Sequence, residues 1–239
     1  MIRLALFISG GGTTACAIIN ACRNNLKSVR PVLVVASKEN ISGITGIKNT
    51  SFKSGNIAVV NPNKFAGDGM FADKLLKVCR ERKVDLIGQY GWLPLTPKKF
   101  ISEYRGRIIN QHPGPLDSNG MDFGGKGMYG RRVHAAVLYF RRVTLHDYWT
   151  EATTHMVSGE FDRGKVIGRV RMNILPEDTV ESLQAKVLPV EHRLQIDVLK
   201  KFADGKIKNL SRPLPLIKKS EYRILKEAKK IAALFYPYA

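Results

Sequence analysis

The sequence predicts an α/β fold: a doubly wound, mostly parallel sheet that gains antiparallel strands in its C-terminal half. Two patterns predict it. Short apolar runs without alternation recur through the first half of the chain, each followed by a helix-length stretch, as expected of strands buried on both faces. In the second half, Ala152–Ser158 and Val166–Met172 alternate apolar and polar residues like half-buried strands.

Taken in order, the buried runs are Arg3–Ile8, Pro31–Ala36, Ile57–Val60, Val84–Gly88 and Gly106–Asn110. Thr14–Leu26, Ile44–Ser54 and Gly69–Arg82 read as the intervening helices. In the last of these, Met70, Leu75, Val78 and Cys79 fall mostly on one face. Met121–Gly130 reads as a glycine-rich loop and Arg131–Arg142 as a helix, while Arg141–Trp149 carries no clear pattern. Asp178–Asp204 is a long helix announced by Pro176-Glu177-Asp178-Thr179 and closed by Gly205. The stretch Ser211–Lys230 holds seven Lys or Arg and two Glu, and Glu221–Leu234 reads as one short amphipathic helix before Phe235-Tyr236-Pro237-Tyr238. The domain reading is residues 1–210 as one catalytic unit and 211–239 as a basic C-terminal extension.

The 239 residues, 44% hydrophobic and 25% charged, can bury ample core. No uninterrupted apolar window reaches the ~18 residues of a membrane span. Met1–Ile8 runs straight into glycines and reads as a buried first strand rather than a signal peptide. Cys16, Cys22 and Cys79 are odd in number and lack metal spacing; they read as buried reduced thiols of a cytoplasmic protein. The net charge of +19 attracts phosphates in general, nucleic acid and phosphorylated small molecules alike.

The chemistry concentrates in three places. Ile108-Ile109-Asn110-Gln111-His112-Pro113-Gly114-Pro115 delivers an amide and an imidazole to a strand's carboxyl end, where open α/β sheets place ligands. Asn110 and His112 are two apart and share one side of an extended chain. His112 suits a general acid or base and Asn110 an oxyanion donor. A carboxylate, Asp162, arrives from the separate loop Gly159–Gly164 to orient His112 and relay protons, with His155 supporting that loop. Ser9-Gly10-Gly11-Gly12-Thr13-Thr14 joins the first strand to the first helix, where glycine backbone and free N–H groups can cradle a phosphate. It is neither a Walker A sequence nor a dinucleotide fingerprint. Tyr90-Gly91-Trp92-Leu93-Pro94-Leu95 can line an apolar slot for a flat ring. His134 and His192 fall on predicted helices and read as structural.

In this order, these pieces resemble phosphoribosylglycinamide formyltransferase, the folate-dependent enzyme family of purine synthesis. The likeness spans roughly residues 1–210. It includes Gly106–Pro113, Gly127-Met128-Tyr129-Gly130-Arg131-Arg132-Val133-His134, Thr154-His155-Met156-Val157, Phe161-Asp162, Glu191-His192 and Phe202-Ala203-Asp204-Gly205. The resemblance implies a Rossmann-like formyltransferase fold and a catalytic trio of Asn110, His112 and Asp162. It implies phosphate binding by Gly11, Gly12, Thr13 and Thr14, and contact of Glu191 with the ribose or glycyl end of glycinamide ribonucleotide. Trp92, Leu93, Pro94 and Leu95 would line the slot for the co-substrate 10-formyltetrahydrofolate. The implied reaction is direct attack of the glycinamide amine through a tetrahedral intermediate, without a metal or a covalent enzyme intermediate. The implied partners are these small molecules in the cytoplasm; nucleic acid is possible but not expected, no membrane is expected, and the sequence leaves monomer or dimer open.

The chain departs from the family pattern at Thr14, which stands where Asn is usual, at Asp68, where Arg is usual, and at Ser158-Gly159, where an acid is common. The segment Leu138–Glu151 is also longer than expected. Three rival readings share parts of this pattern: a methionyl-tRNA or amino-sugar formyltransferase, a formyltetrahydrofolate deformylase, and a non-catalytic nucleic-acid or ligand-binding protein on the same fold.

Overall fold

The computed structural model describes residues 1–237. Tyr238 and Ala239, the end of the predicted extension, lie outside the described residues. Seven strands form one sheet: β1 (Ile2–Ile8), β2 (Val29–Ala36), β3 (Ile57–Val59), β4 (Leu86–Gln89), β5 (Ile108–His112), β6 (Trp149–Met156) and β7 (Val166–Asn173). Their spatial order is β3-β2-β1-β4-β5-β6-β7. The strands β1 to β5 pair in parallel, and β6 and β7 join antiparallel. The helices are α1 (Thr13–Asn24), α2 (Ser42–Lys48), α3 (Asp68–Glu81), α4 (Lys98–Glu103), α5 (Arg131–Thr144), α6 (Val180–Ala203) and α7 (Tyr222–Phe235).

The strand β1 explains why its sequence does not alternate. Leu4, Leu6 and Ile8 join the core on one face of the sheet, and Ala5 and Phe7 join the core on the other. Both faces are covered, so every position is apolar. α1, α5, α6 and α7 contribute to the first core; α3 and α4 contribute to the second. From β1 the chain winds outward to β3 and then returns across β1 to β4. That reversal opens a crevice at the carboxyl ends of β1 and β4, the usual ligand position in such sheets.

Several boundaries differ from those expected. The second helix stops at Lys48, and the chain continues through Asn49 to a 3-10 turn at Ser54–Asn56. α4 was not foreseen; only Phe100 of its six residues is buried, too little to create a visible period. The strand β6 begins at Trp149, three residues before the alternating stretch, because its polar residues Thr150 and Glu151 are themselves buried. Glu151 is tolerated there because Arg212 pairs with it. Cys79 is buried as expected, but Cys16 and Cys22 are only half-buried; all three are free. α6 starts on a reciprocal cap between Thr179 and Ser182 and carries Pro189 inside it. No helix is long and apolar enough to cross a membrane among the described residues.

The extension is packed against the rest of the fold. Leu225, Ala228 and Ala232 of α7 are buried in the same core as α5, and Ile217 joins them. Arg212 also donates to the Leu116 carbonyl, and the Leu216 N–H donates to Asp117.

Candidate active site

A cleft of about 500 Å³ lies over the carboxyl ends of β1, β4 and β5. Its walls are the Gly10–Thr14 turn, the Gln89–Thr96 loop, Asn110–Pro113, part of the loop 125–130, residues 157–162 and three positions on α6.

The antiparallel pairing of β5 with β6 builds its centre. Asn110 lies directly opposite His155 in that register. The Asn110 Nδ2 donates to His155 Nε2 at 3.0 Å and, over a longer 3.4 Å, to Asp162 Oδ1. The His155 Nδ1 faces the Met156 carbonyl at 2.8 Å, so the proton sits on that nitrogen. The Nε2 then faces both the Asn110 amide and Asp162 Oδ1. His155 thus meets both Asn110 and, through Asp162 Oδ1 at 3.3 Å, the loop. One amide proton is well engaged, and the one on the long contact is available to an incoming oxygen.

His112 is buried, with its Nε2 3.2 Å from the Phe123 carbonyl, which fixes a proton on that nitrogen. Its Nδ1 lies 3.6 Å from Asp162 Oδ2. Burial pushes the His112 imidazole below its usual value, and the Asp162 charge opposes that push. Asp162 itself must overcome burial. His112, His155 and the Gly125 N–H, which donates to Oδ2 at 2.9 Å, hold its carboxyl well below the usual carboxylate range. Asp162 sits in the left-handed region at φ 55°, a conformation that Asp tolerates better than most residues. Gly124 permits the approach of the facing loop: a Cβ there would lie 2.7 Å from the Asp162 Cβ.

At the other end of the cleft, Gly12 caps α1 at φ 62° with no side-chain cap, leaving the first N–H groups uncommitted within the helix. Thr14 is buried, and Thr13 Oγ1 shares a 3.3 Å hydrogen bond with His192 Nε2. His192 had read as structural from sequence; only the fold shows it beside the glycine turn. Among the described residues, no Lys or Arg lines the cleft. Asp68 is exposed on the first turn of α3 and brings no charge there.

Glu191 projects from α6 into the cleft and is buried. Burial raises its carboxyl to about 8, with Gln111 pulling the other way. Its Oε1 and the Oε1 of Gln111 have no hydrogen-bond partner among the described residues. Buried acceptors of this kind suit a ligand that brings donors. Sequence reasoning did not single out Gln111, which lies between two recognised residues. His134, also in the wall, is held down to about 4 by burial, with His112 adding to the effect.

The loop after β4 is tied to the glycine turn. Ser9 accepts from the Leu93 N–H at 3.0 Å, and the Ser9 N–H donates to the Gly91 carbonyl. Trp92 turns inward, stacked on Phe71 at 6.4 Å between ring centroids and 5.0 Å from Phe7. It offers the cleft only part of its surface, whereas Leu93 and Leu95 remain exposed.

The formyl transferase family matches residues 2–199. The chain belongs to that family. It is 30% identical over 219 residues to the chloroplastic phosphoribosylglycinamide formyltransferase of Arabidopsis thaliana, covering 92% of this chain and 71% of that protein. It is 26% identical to the Haemophilus influenzae phosphoribosylglycinamide formyltransferase, over 87% of this chain and 90% of that one. The crystal structure of phosphoribosylglycinamide formyltransferase from Brucella melitensis superposes with a TM-score of 0.71 at 28% identity, over 87% of this chain and 99% of that one. The formyltransferase fold expected from the sequence is thus the fold observed. The comparisons do not favour the tRNA, amino-sugar or non-catalytic readings.

Proposed function

We propose that the protein is a phosphoribosylglycinamide formyltransferase, moving a formyl group from 10-formyltetrahydrofolate to the amine of glycinamide ribonucleotide. The observation that carries this reading is the convergence of Asn110, His112 and Asp162 on one cleft whose far end is the Gly10–Thr14 turn. The names of the relatives support the choice of acceptor.

When bound, formyl folate supplies an activated formyl group on a nitrogen that can leave. Leu93, Pro94 and Leu95, with the exposed part of Trp92, would hold its ring system. Gly11, Gly12, Thr13 and Thr14 would hold the ribonucleotide phosphate through backbone N–H groups at the start of α1. Glu191, mostly protonated near neutral pH given its raised pKa, would contact the ribose or glycyl end. Asn110 would turn its weakly engaged N–H to the oxygen that gains negative charge. His112, protonated with support from Asp162, would stabilise the same charge. Asp162 would pass the amine's proton toward the leaving nitrogen. This reading assigns residues 1–210 to the formyltransferase unit and 211–239 to a basic extension, and places the protein in the cytoplasm.

The test supplies 10-formyltetrahydrofolate with glycinamide ribonucleotide, methionyl-tRNA or an amino-sugar nucleotide in separate reactions, following tetrahydrofolate release. Release is expected with glycinamide ribonucleotide alone, and Asn110→Ala is expected to slow it by roughly 100- to 1,000-fold. Release with another acceptor, or with none, would overturn the proposal.

A further inference from the structure

The extension reaches back to the catalytic carboxylate through a single peptide group. The Lys229 Nζ, half-buried on α7, donates to the Gly124 carbonyl at 2.7 Å. The N–H of that same peptide, belonging to Gly125, donates to Asp162 Oδ2 at 2.9 Å. A trans peptide is planar, and its C=O and N–H point in opposite directions. Ammonium, peptide and carboxylate therefore form one line of hydrogen bonds across the loop. An ammonium on the carbonyl polarises the amide and strengthens its N–H as a donor.

We infer that Lys229 is a positioning residue for Asp162, acting through the Gly124–Gly125 peptide. The inference rests on the formyl-transfer reading for its effect on rate. Lys229 lies beyond the residues matched by the family, 2–199, so the extension would be contributing to the active site.

Three features make this peptide a suitable relay. It joins two glycines, and Gly125 has φ 103°, so little besides its hydrogen bonds fixes the peptide plane. The Gly124 N–H is held by Asp122 Oδ1 at 2.9 Å, and Asp122 is held in turn by Arg163. On the far side of the loop, Arg132 of α5 donates to the Gly127 carbonyl and to the carbonyls of Tyr236 and Pro237. The loop is thus fastened to the extension at two points, and only the Lys229 contact falls on the peptide facing Asp162. The charged groups facing Lys229 are Asp122, Arg163 and Asp162; those facing Asp162 are His112 from β5 and His155 from β6. Burial lowers the Lys229 ammonium from its usual range, with Asp122 and Asp162 opposing.

The test compares Lys229→Met, Lys229→Gln and Lys229→Arg in the full chain. Met and Gln are expected to lower kcat roughly tenfold, the loss of about one charge-assisted hydrogen bond, while KM for both substrates stays the same. The Gly125 amide proton, read by NMR without substrate, is expected to move upfield in both, and Arg is expected to retain both properties. In the unsubstituted protein the same resonance is expected to shift as alkali neutralises the Lys229 ammonium, which needs no variant to fold. A fall in kcat with an unmoved Gly125 resonance, a rise in KM alone, or no change in either would overturn the inference. A wild-type protein without formyl transfer would instead overturn the function reading, and the amide measurement would still decide the relay.

Discussion

Replacing Asp162 by Asn removes one charge from the cleft and turns the acceptor facing Asn110 into a donor. Asn tolerates the left-handed backbone at φ 55°, and its side-chain oxygen can still accept from the Gly125 N–H. What disappears is the attraction that supports a protonated His112. With charges 3.6 Å apart and an effective dielectric of about 20, that attraction is worth about 4–5 kcal/mol. At about 1.4 kcal/mol per tenfold in rate, kcat is expected to fall on the order of a thousandfold.

The sign of the pH effect follows from the same pair. Burial already lowers His112, and Asp162 is its largest opposing influence. In Asp162→Asn the imidazole therefore titrates at lower pH than in the parent. Asp162 also has a folded-state pKa below its unfolded value, so its ionisation adds stability above the ordinary carboxylate range. That stability is lost as pH falls through the folded pKa, and the Asn variant lacks it throughout. The assay is steady-state tetrahydrofolate release over a pH series, with NMR titration of the His112 ring. Substrate KM values within a few-fold of the parent are expected. Retention of parental kcat, or a His112 midpoint that does not fall, would refute the coupling of these two groups.

Three further outcomes are expected. Gly43→Ala would place a Cβ 2.5 Å from the Gly10 carbonyl and 3.0 Å from the Gly12 nitrogen, displacing the glycine turn proposed to hold the phosphate, so KM for the ribonucleotide should rise more than KM for the folate. In Glu191→Gln, a carboxyl raised from 4.5 to about 8 by burial is removed. Its parent loses stability as pH rises from the unfolded pKa to the folded one, so the variant's Tm should exceed the parent's increasingly across that window. Arg212→Ala leaves Glu151 buried and unpaired, which should cost roughly 3–5 kcal/mol in urea unfolding.

The parallel half of the fold was legible because strands buried on both faces must be apolar at every position, as β1 shows with Leu4, Leu6 and Ile8 set against Ala5 and Phe7. The start of β6 was not, because Thr150 and Glu151 are polar yet buried, and what licenses Glu151 is Arg212, sixty-one residues away. A local pattern carries no trace of such a partner. The same holds for Trp92, whose position after β4 suggests a ligand slot while Phe71 and Phe7 draw its ring into the core.

Within the site, spacing placed Asn110 and His112 on one side of a strand, but it carried no information about which strand lies opposite. The antiparallel register supplies that, setting His155 across from Asn110, so that the imidazole meets the amide as well as the loop carboxylate. With the Nδ1 proton committed to the Met156 carbonyl, the His155 Nε2 faces the Asn110 amide at 3.0 Å and Asp162 Oδ1 at 3.3 Å, and the second amide proton of Asn110 is left on a 3.4 Å contact. A tighter contact to Asp162 would occupy the donor that the proposed reading aims at the oxyanion. On the proposed reading, that spacing leaves the amide free to turn to substrate while the carboxylate still opposes the loss of the His112 proton.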